Sequence, residues 1–203
     1  MKLDLPAGDF AGYIFDCDGT LIDSMPVHYR AWDAAMRSNG MPGVLDEDLF
    51  YSLGGVPTRR VAQIIAKHYG LTIDVEQVFH LKENLFLELL ADVKQIRPVV
   101  EFARKAAAAG TPVSVASGGP RDVVHHSLKL AGLAPLFPIV VTPEDVGQRG
   151  KPAPDMFLLA AQKMGVPPTR CLVFEDAEPG HQAAEAAGMA SVHVPSRGPR
   201  TKR

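Results

Sequence analysis

Short apolar runs alternate with helical patterns along most of this chain. The runs are rich in Val, Ile and Phe and are bounded by Gly, Pro or Asp, which is typical of buried strands. There are five of them: Phe10–Phe15, Pro112–Ser117, Pro138–Thr142, Arg170–Asp176 and Ala190–Val194. Runs of this length that lack strict polar alternation indicate strands covered on both faces, as in parallel sheets.

Four helical patterns accompany the later strands, each with a proline near its start and a glycine just past its end. They are Pro98–Ala109, Pro120–Ala131, Asp155–Met164 and Pro179–Ala187. Strands that alternate with helices are the signature of a parallel sheet with right-handed crossovers. The pattern therefore predicts an α/β fold with a doubly wound, Rossmann-like parallel sheet.

One long segment interrupts the alternation. Between Asp23 and Arg97 the chain shows no strand pattern, only three amphipathic helical patterns: Pro26–Asn39, Thr58–Tyr69 and Val75–Val93. A stretch of about 75 residues is too long for a simple crossover between two strands. We expect an α/β core of residues 1–22 and 98–203 and an inserted helical domain of residues 23–97. The linkers would lie near Leu21–Ser24 and Gln95–Pro98.

Composition and charge narrow the function classes. The chain has 203 residues, of which 46% are hydrophobic, and a net charge of −2. These values are typical of a globular protein and supply no field that attracts nucleic acid or an anionic membrane. No apolar run approaches the roughly 20 residues of a membrane span, and the N-terminal residues lack a signal-peptide pattern. We expect a cytoplasmic monomer with no nucleic-acid or membrane partner and a frayed basic tail, PSRGPRTKR.

Chemically reactive side chains lie where the predicted strands end. Ligands of open parallel sheets bind outside the carboxyl ends of the strands, so side chains from several strand ends converge there. The side chains in question are Asp16 and Asp18, Ser117, Lys151, and Glu175 with Asp176. Each has an ordinary explanation when taken alone, such as a turn, a cap or a solvated charge. Their joint placement indicates a site.

The chemistry of that site follows from its residue types. Crowded carboxylates repel one another unless a cation lies among them, and carboxylate oxygens suit magnesium. A lysine and a hydroxyl match phosphate oxygens. One carboxylate can act as a covalent nucleophile, and a second can transfer protons to and from the reacting oxygens. The pattern therefore indicates a metal-assisted enzyme that acts on a phosphorylated substrate.

Four motifs in order resemble those of the haloacid dehalogenase-like phosphohydrolases. "FDCDGTLIDS" resembles the first motif, D-x-D-G-T-L-x-D-[ST], and "VASGG" the second. "KPAPDMF" resembles the third motif, and "VFEDAEPGHQAAEAAGM" the fourth. The resemblance covers nearly the whole chain. The helical insertion resembles the small cap of the β-phosphoglucomutase-like branch, and the chain looks most similar to the bacterial sugar phosphatases there, which act on fructose 1-phosphate and 6-phosphogluconate.

The resemblance implies a catalytic and metal-binding role for four carboxylates. Asp16 would be the nucleophile that becomes phosphorylated. Asp18 would be the general acid and base, and its backbone carbonyl would bind Mg²⁺. Asp176 would complete the metal site with Asp16, and Glu175 would ligate the metal either directly or through water.

The resemblance also implies a set of phosphate and substrate contacts. Thr20, Ser117, Gly118 and Lys151 would hold the transferring phosphoryl group, with Lys151 offsetting its negative charge. His28 would approach the active site and couple cap closure to Asp18, the alternative being a surface histidine.

Three other residues have competing interpretations. Cys17, between two outward carboxylates, is expected to point into the core. Trp32 follows His28 by four residues on the same helix face, which indicates packing within the helical insertion. Lys82 either faces the sugar or is a solvated lysine on a helix.

We therefore expect a Mg²⁺-dependent phosphatase that acts on a small sugar phosphate. The alternative within the family is a phosphoglucomutase, whose cap loop carries a lysine and an arginine where this chain has Gly54 and Thr58. Arg59 and Arg60 follow closely and are candidate replacements. A third alternative is a non-catalytic binding protein on the same fold. The set of Asp16, Asp18, Lys151 and Asp176 argues against it, because a scaffold without activity has no need of all four.

Overall fold

A parallel sheet forms the centre of the molecule. The computed structural model describes residues 3–90 and 93–195. The strands are β1 (Gly12–Phe15), β2 (Val113–Ala116), β3 (Ile139–Val141), β4 (Cys171–Glu175) and β5 (Ala190–His193). They are all parallel and lie in the order β3-β2-β1-β4-β5. Each predicted strand is present, and each run predicted from the sequence extends one or more residues beyond the hydrogen-bonded strand.

A helical segment separates β1 from β2. Its helices in the described residues are α1 (Met25–Ser38), α2 (Glu47–Ser52), α3 (Thr58–Tyr69) and α4 (Val75–Leu89). They enclose an apolar cluster of their own that includes Trp32, Met36 and Ile65. Side chains of α1 and α3 therefore find burial within the inserted segment.

Helix α2 is absent from the prediction, and helix α4 is shorter than predicted. Asp46 caps α2, since its side chain accepts a hydrogen bond from the Leu49 backbone N–H at 2.7 Å. Six residues are too few to show a helical period, which explains why the pattern missed this helix. The predicted end of α4 at Val93 is wrong because the helix stops at Leu89, although residues 91–92 lie outside the described part of the chain.

The remaining helices cover both faces of the sheet. They are α5 (Arg97–Ala108), α6 (Arg121–Leu130), α7 (Asp155–Met164) and α8 (Glu178–Ala186). Phe15 packs in a cluster with residues of α5 and α6, whereas its neighbour Ile14 packs with residues of α7 and α8. Successive residues of β1 thus point to opposite layers, as the geometry of a strand requires. The predicted doubly wound α/β fold is confirmed.

The chain leaves and re-enters the core at one place. The Asp23 N–H donates to the Lys94 carbonyl at 2.8 Å, and the Ile96 N–H donates to the Leu21 carbonyl at 2.8 Å. Ile22 and Gln95 form an antiparallel bridge between the two crossings. Both predicted linkers lie at this paired crossing. The division of the chain into a core and an inserted domain stays a prediction.

Two expectations concern membrane-spanning helices and the C-terminal tail. No helix in the described residues is both long and apolar enough to cross a membrane. The predicted frayed tail from Pro195 onward lies, apart from Pro195 itself, outside the described residues.

The two leucines of α6 provide a test of the core. Leu128 is 1% exposed and lies in the cluster beneath the sheet, whereas Leu130 is 56% exposed. Replacing Leu128 with alanine leaves a cavity and should lower the free energy of unfolding by about 2–5 kcal/mol. The matched control Leu130→Ala should change it by no more than about 0.5 kcal/mol. Urea denaturation measures both, and equal losses would contradict this packing.

Candidate active site

Strand order brings the predicted carboxylates together. Strands β1 and β4 are neighbours with Phe15 paired to Phe174, so Asp16 and Glu175 follow at the same edge. The Asp16 N–H donates to the Phe174 carbonyl at 3.0 Å, which holds the first residue past β1 in this register. Ser117 follows β2 on the other side of β1 and is held by a 3.0 Å hydrogen bond from its N–H to the Val141 carbonyl.

Three carboxylates form one cluster at that edge. Asp16, Glu175 and Asp176 each offer an oxygen, and these oxygens all lie within 4.8 Å of one another. Two glycines make room for them, because a Cβ at Gly19 would overlap the Asp176 carboxylate and one at Gly180 would overlap that of Glu175. A set of carboxylate oxygens from two strand ends matches the ligands that Mg²⁺ prefers. The residues present therefore fit such a metal.

Lys151 lies against this cluster. Its ammonium is fully buried, 2.6 Å from Asp16 Oδ1, and it also contacts Glu175 Oε1. Burial alone would lower the pKa of Lys151, but the charges and hydrogen bonds of Asp16 and Glu175 outweigh it and raise the pKa. Lys151 is thus held as a cation beside Asp16.

The carboxyl group of Asp16 is strongly destabilised as an anion. Burial raises its pKa well above the usual value, and the neighbouring carboxylates raise it further, while Lys151 works in the opposite direction. A cation among the carboxylates would relieve this repulsion. The cluster therefore favours a bound cation in addition to Lys151.

Asp18 has different surroundings from Asp16. Its Oδ1 accepts a hydrogen bond from Ser24 Oγ at 2.5 Å and lies 3.1 Å from His28 Nε2. Burial works to raise the pKa of Asp18, but the attraction of His28 and the hydrogen bonds from His28 and Ser24 prevail and lower it. Ser24 is a site residue that the sequence reasoning missed, although it occupies the final position of the quoted first motif.

His28 connects the inserted helices to Asp18. It lies in the first turn of α1 and stacks on Phe86 of α4, with ring centroids 3.8 Å apart and planes 2° from parallel. Burial and the charge of Lys82 lower the pKa of His28, although Asp18 opposes the shift. The interpretation of His28 as a surface residue is wrong, because the ring lines the cavity described next.

A cavity of about 70 Å³ separates the inserted helices from the sheet edge. From the core, its wall includes Asp16, Asp18, Ser117 and Gly118. From the inserted segment, its wall includes His28, Trp32, Thr58 and Lys82, together with the loop of Leu53, Gly54, Gly55 and Val56. Among the described residues that form this wall, neither Thr20 nor Lys151 is found.

The loop between α2 and α3 lies directly on the core. A Cβ at Gly118 would overlap the Gly55 carbonyl, and one at Gly54 would lie 2.6 Å from the Ala177 Cβ. Gly55 itself adopts φ +74° and approaches the Lys151 side chain. The inserted segment is therefore closed over Gly118, Ala177 and Lys151 on this side.

The predicted residues fall into two groups. Asp16, Asp18, His28, Ser117 and Gly118 line the cavity, whereas Lys151, Glu175 and Asp176 lie behind Asp16. Thr20 is fully buried, and its hydroxyl has no hydrogen-bond partner among the described residues.

Three further residues had competing interpretations from the sequence, and the structure places each of them. Cys17 is buried in the core as predicted. Trp32 is buried among the inserted helices as predicted, and it also lines the cavity. Lys82 is 2% exposed, so its interpretation as a solvated lysine is wrong.

Comparison with known proteins gives the class of this protein. Residues 10–188 match the family of haloacid dehalogenase-like hydrolases. The chain belongs to this family, and the predicted class of phosphoric monoester hydrolase is confirmed.

Three similar proteins illustrate the relationship. Fructose-1-phosphate phosphatase YqaB of Escherichia coli (strain K12) is 38% identical over 185 residues, which cover 91% of this chain and 96% of that protein. The structure of a hydrolase from Pseudomonas syringae superimposes with a TM-score of 0.81 at 27% identity, covering 89% of this chain and 83% of that one. A β-phosphoglucomutase from Clostridium difficile gives 0.80 at 22% identity, with 90% and 83% covered. The last likeness concerns the fold alone.

Proposed function

We propose that this protein is a Mg²⁺-dependent phosphatase that hydrolyses a small sugar phosphate, with fructose 1-phosphate as the first candidate. The observation that carries the proposal is Asp16, which lines the cavity, lies 2.6 Å from Lys151 and belongs to the carboxylate cluster. The name of the E. coli relative, a fructose-1-phosphate phosphatase, supports the choice of substrate.

Asp16 is the nucleophile in this proposal. One of its carboxylate oxygens attacks phosphorus, a bond forms between them, and the bond from phosphorus to the sugar oxygen breaks. Ser117 and Gly118 contact the phosphoryl oxygens from the cavity wall, while Lys151, which lies outside the described wall and 2.6 Å from Asp16, offsets their charge. Thr20 would join them only by a change of its surroundings, because its hydroxyl is buried away from the cavity.

Asp18 transfers the protons. It gives a proton to the departing sugar oxygen and later takes one from the water that attacks phosphorus, when the bond from phosphorus to the Asp16 oxygen breaks and inorganic phosphate leaves. Ser24 and His28 hold its carboxyl group in place. Because His28 belongs to α1, the position of the inserted segment bears directly on this group.

Asp16, Asp176 and the Asp18 backbone carbonyl would hold Mg²⁺, with Glu175 contributing directly or through water. The ion would offset the negative charge of the phosphoryl group. The carboxylate cluster supports this assignment, since its three oxygens lie within 4.8 Å of one another.

The inserted segment, residues 23–97, is the cap in this proposal. It supplies Trp32, Thr58 and Lys82 to the cavity wall opposite Asp16, where the sugar would lie. Its loop at Gly54 and Gly55 lies on the core and shields the reacting groups from bulk water. A monomeric state and a cytoplasmic location stay predictions.

Arg59 and Arg60, which follow Thr58, do not replace the lysine and arginine of the phosphoglucomutase cap loop in this proposal. Arg59 binds Glu76 through two hydrogen bonds of 2.7 and 2.9 Å and lies over the Phe79 ring. Arg60 binds Gln63 at 3.2 Å. Neither is among the described residues that line the cavity, which favours the phosphatase over the mutase.

Asp16→Ala should abolish phosphate release and leave no phosphoenzyme, because no other group is placed to attack. The measurement is phosphate release from p-nitrophenyl phosphate and fructose 1-phosphate with and without Mg²⁺. The exposed Asp48→Ala on α2 is the control and should retain activity. Activity of Asp16→Ala within about tenfold of the natural protein would contradict the assignment.

Asp18→Asn should lower turnover by roughly 10²–10⁴-fold, because proton transfer is lost while the backbone carbonyl remains. Magnesium affinity, measured by titration calorimetry, should stay within a few-fold. Asp176→Asn serves as the comparison, since it should weaken magnesium binding. A collapse of affinity in Asp18→Asn with turnover preserved would exclude this role.

Phosphate release and isomerisation can be compared in one coupled assay. We expect free phosphate from fructose 1-phosphate and negligible conversion of β-glucose 1-phosphate to glucose 6-phosphate, even with the 1,6-bisphosphate primer. Two missing charged contacts should weaken the hold on a bisphosphate by roughly 10²–10⁴-fold. Efficient isomerisation with little phosphate release would favour the mutase instead.

A further inference from the structure

A lysine forms part of the wall of the cavity opposite Asp16. Of the described residues that line the cavity, Lys82 is the one lysine or arginine. It is 2% exposed, and its Nζ lies 5.6 Å from the Trp32 ring centre and 5.0 Å from that of Phe86. A buried ammonium among apolar rings is unfavourable unless an anion lies beside it. The charge of this wall therefore depends on what pairs with Lys82.

Glu83 supplies that anion. Its Oε1 lies 3.1 Å from Lys82 Nζ and accepts a hydrogen bond of 3.1 Å from Thr58 Oγ1. Both donors line the cavity, whereas Glu83 is not among the lining residues. One carboxylate oxygen thus holds two groups of the cavity wall from behind.

This contact does not arise from helix geometry. Consecutive residues of a helix point in different directions, so Lys82 and Glu83 do not face each other by default. Thr58 begins α3 and lies 25 residues away in sequence, so the same carboxylate also joins α3 to α4. The pairing therefore reflects the packing around the cavity.

The second carboxylate oxygen of Glu83, Oε2, is also buried. Among the described residues, it has no hydrogen-bond partner. A buried carboxylate oxygen without a partner lowers stability, and such groups in folded proteins call for an explanation beyond folding. The Oε2 atom of Glu83 is thus unfavourable for folding, whereas its Oε1 atom orients Lys82 and Thr58 in the cavity wall.

We infer that Glu83 is a positioning residue that sets substrate specificity by neutralising Lys82 and orienting Lys82 and Thr58 toward an uncharged, hydroxyl-bearing part of the substrate. With Glu83 present, the wall opposite Asp16 offers the remaining N–H donors of Lys82 and the acceptor oxygen of Thr58, but little net charge. It accepts the hydroxyl groups of a monophosphate and disfavours a second phosphate. The inference rests on the proposed function, and it explains how a buried lysine in the cap coexists with hydrolysis of monophosphates.

Glu83→Gln tests this role, because glutamine keeps the size and an acceptor oxygen but removes the charge. Fructose 1,6-bisphosphate is used as an inhibitor of p-nitrophenyl phosphate hydrolysis. We expect its inhibition constant to fall by about 10- to 100-fold, as an unpaired Lys82 becomes available to the second phosphate. The KM for fructose 1-phosphate should rise by about tenfold, while kcat/KM for p-nitrophenyl phosphate, which has no sugar, should stay within about twofold.

Two further variants serve as controls. Glu88→Gln changes an exposed glutamate on the same helix and should leave all three constants unchanged. Lys82→Met combined with Glu83→Gln should abolish the gain in bisphosphate affinity, because that gain comes from the lysine. Glu83→Gln should unfold at a lower temperature than the natural protein, because the buried ammonium of Lys82 loses its anion, and Lys82→Met combined with Glu83→Gln should recover part of this loss.

Each result bears on the inference. An unchanged inhibition constant in Glu83→Gln would overturn it, and so would an equal loss of activity on p-nitrophenyl phosphate and fructose 1-phosphate. Failure of the proposed function is recognised separately, because the natural protein would then release no phosphate from either substrate. Binding of the bisphosphate by titration calorimetry would still compare Glu83→Gln with the natural protein, and equal affinities would again overturn the inference.

Discussion

Repulsion among three crowded carboxylates is the constraint on which the rest of the site depends. Asp16, Glu175 and Asp176 crowd together because β1 and β4 are neighbouring parallel strands that end at the same level. Burial and mutual repulsion raise the pKa of Asp16 well above its usual value. Lys151, buried beside them, offsets part of this charge. A phosphatase with an anionic substrate needs a surplus of positive charge here, which is why the cluster suits a divalent cation in addition to the lysine.

The two aspartates of the D-x-D motif face different surroundings. Asp16 belongs to the carboxylate cluster, whereas Asp18 binds Ser24 and His28. Titratable groups whose surroundings shift their pKa values apart are typical of acid–base sites. Because His28 is part of α1, Asp18 contacts the inserted helices as well as the core. The inserted helices and the sheet edge are therefore connected through the contact between His28 and Asp18.

The fold itself does not decide between hydrolysis and isomerisation, since a hydrolase and a β-phosphoglucomutase superimpose on this chain about equally well. Under the proposed function, the charges of the cavity wall favour hydrolysis over isomerisation. Arg59 is held by Glu76 outside the cavity, and Lys82 is paired with Glu83. The number of lysines and arginines in the inserted segment does not reveal that these two are paired with glutamates.

The sequence by itself determined the alternation of strands and helices and the doubly wound class, and it supplied the candidate site residues. These depend on local period, on turn residues and on four motifs that are contiguous in the chain. It missed α2, whose six residues are too short to show a period, and it overextended α4. Only the tertiary structure decided which side chains meet. Ser24 donates a hydrogen bond to Asp18, and Thr20 lies away from the cavity. Glu83 binds both its neighbour Lys82 and Thr58, which is 25 residues from Glu83 in sequence. Such contacts depend on how distant helices pack, and no local pattern records that packing.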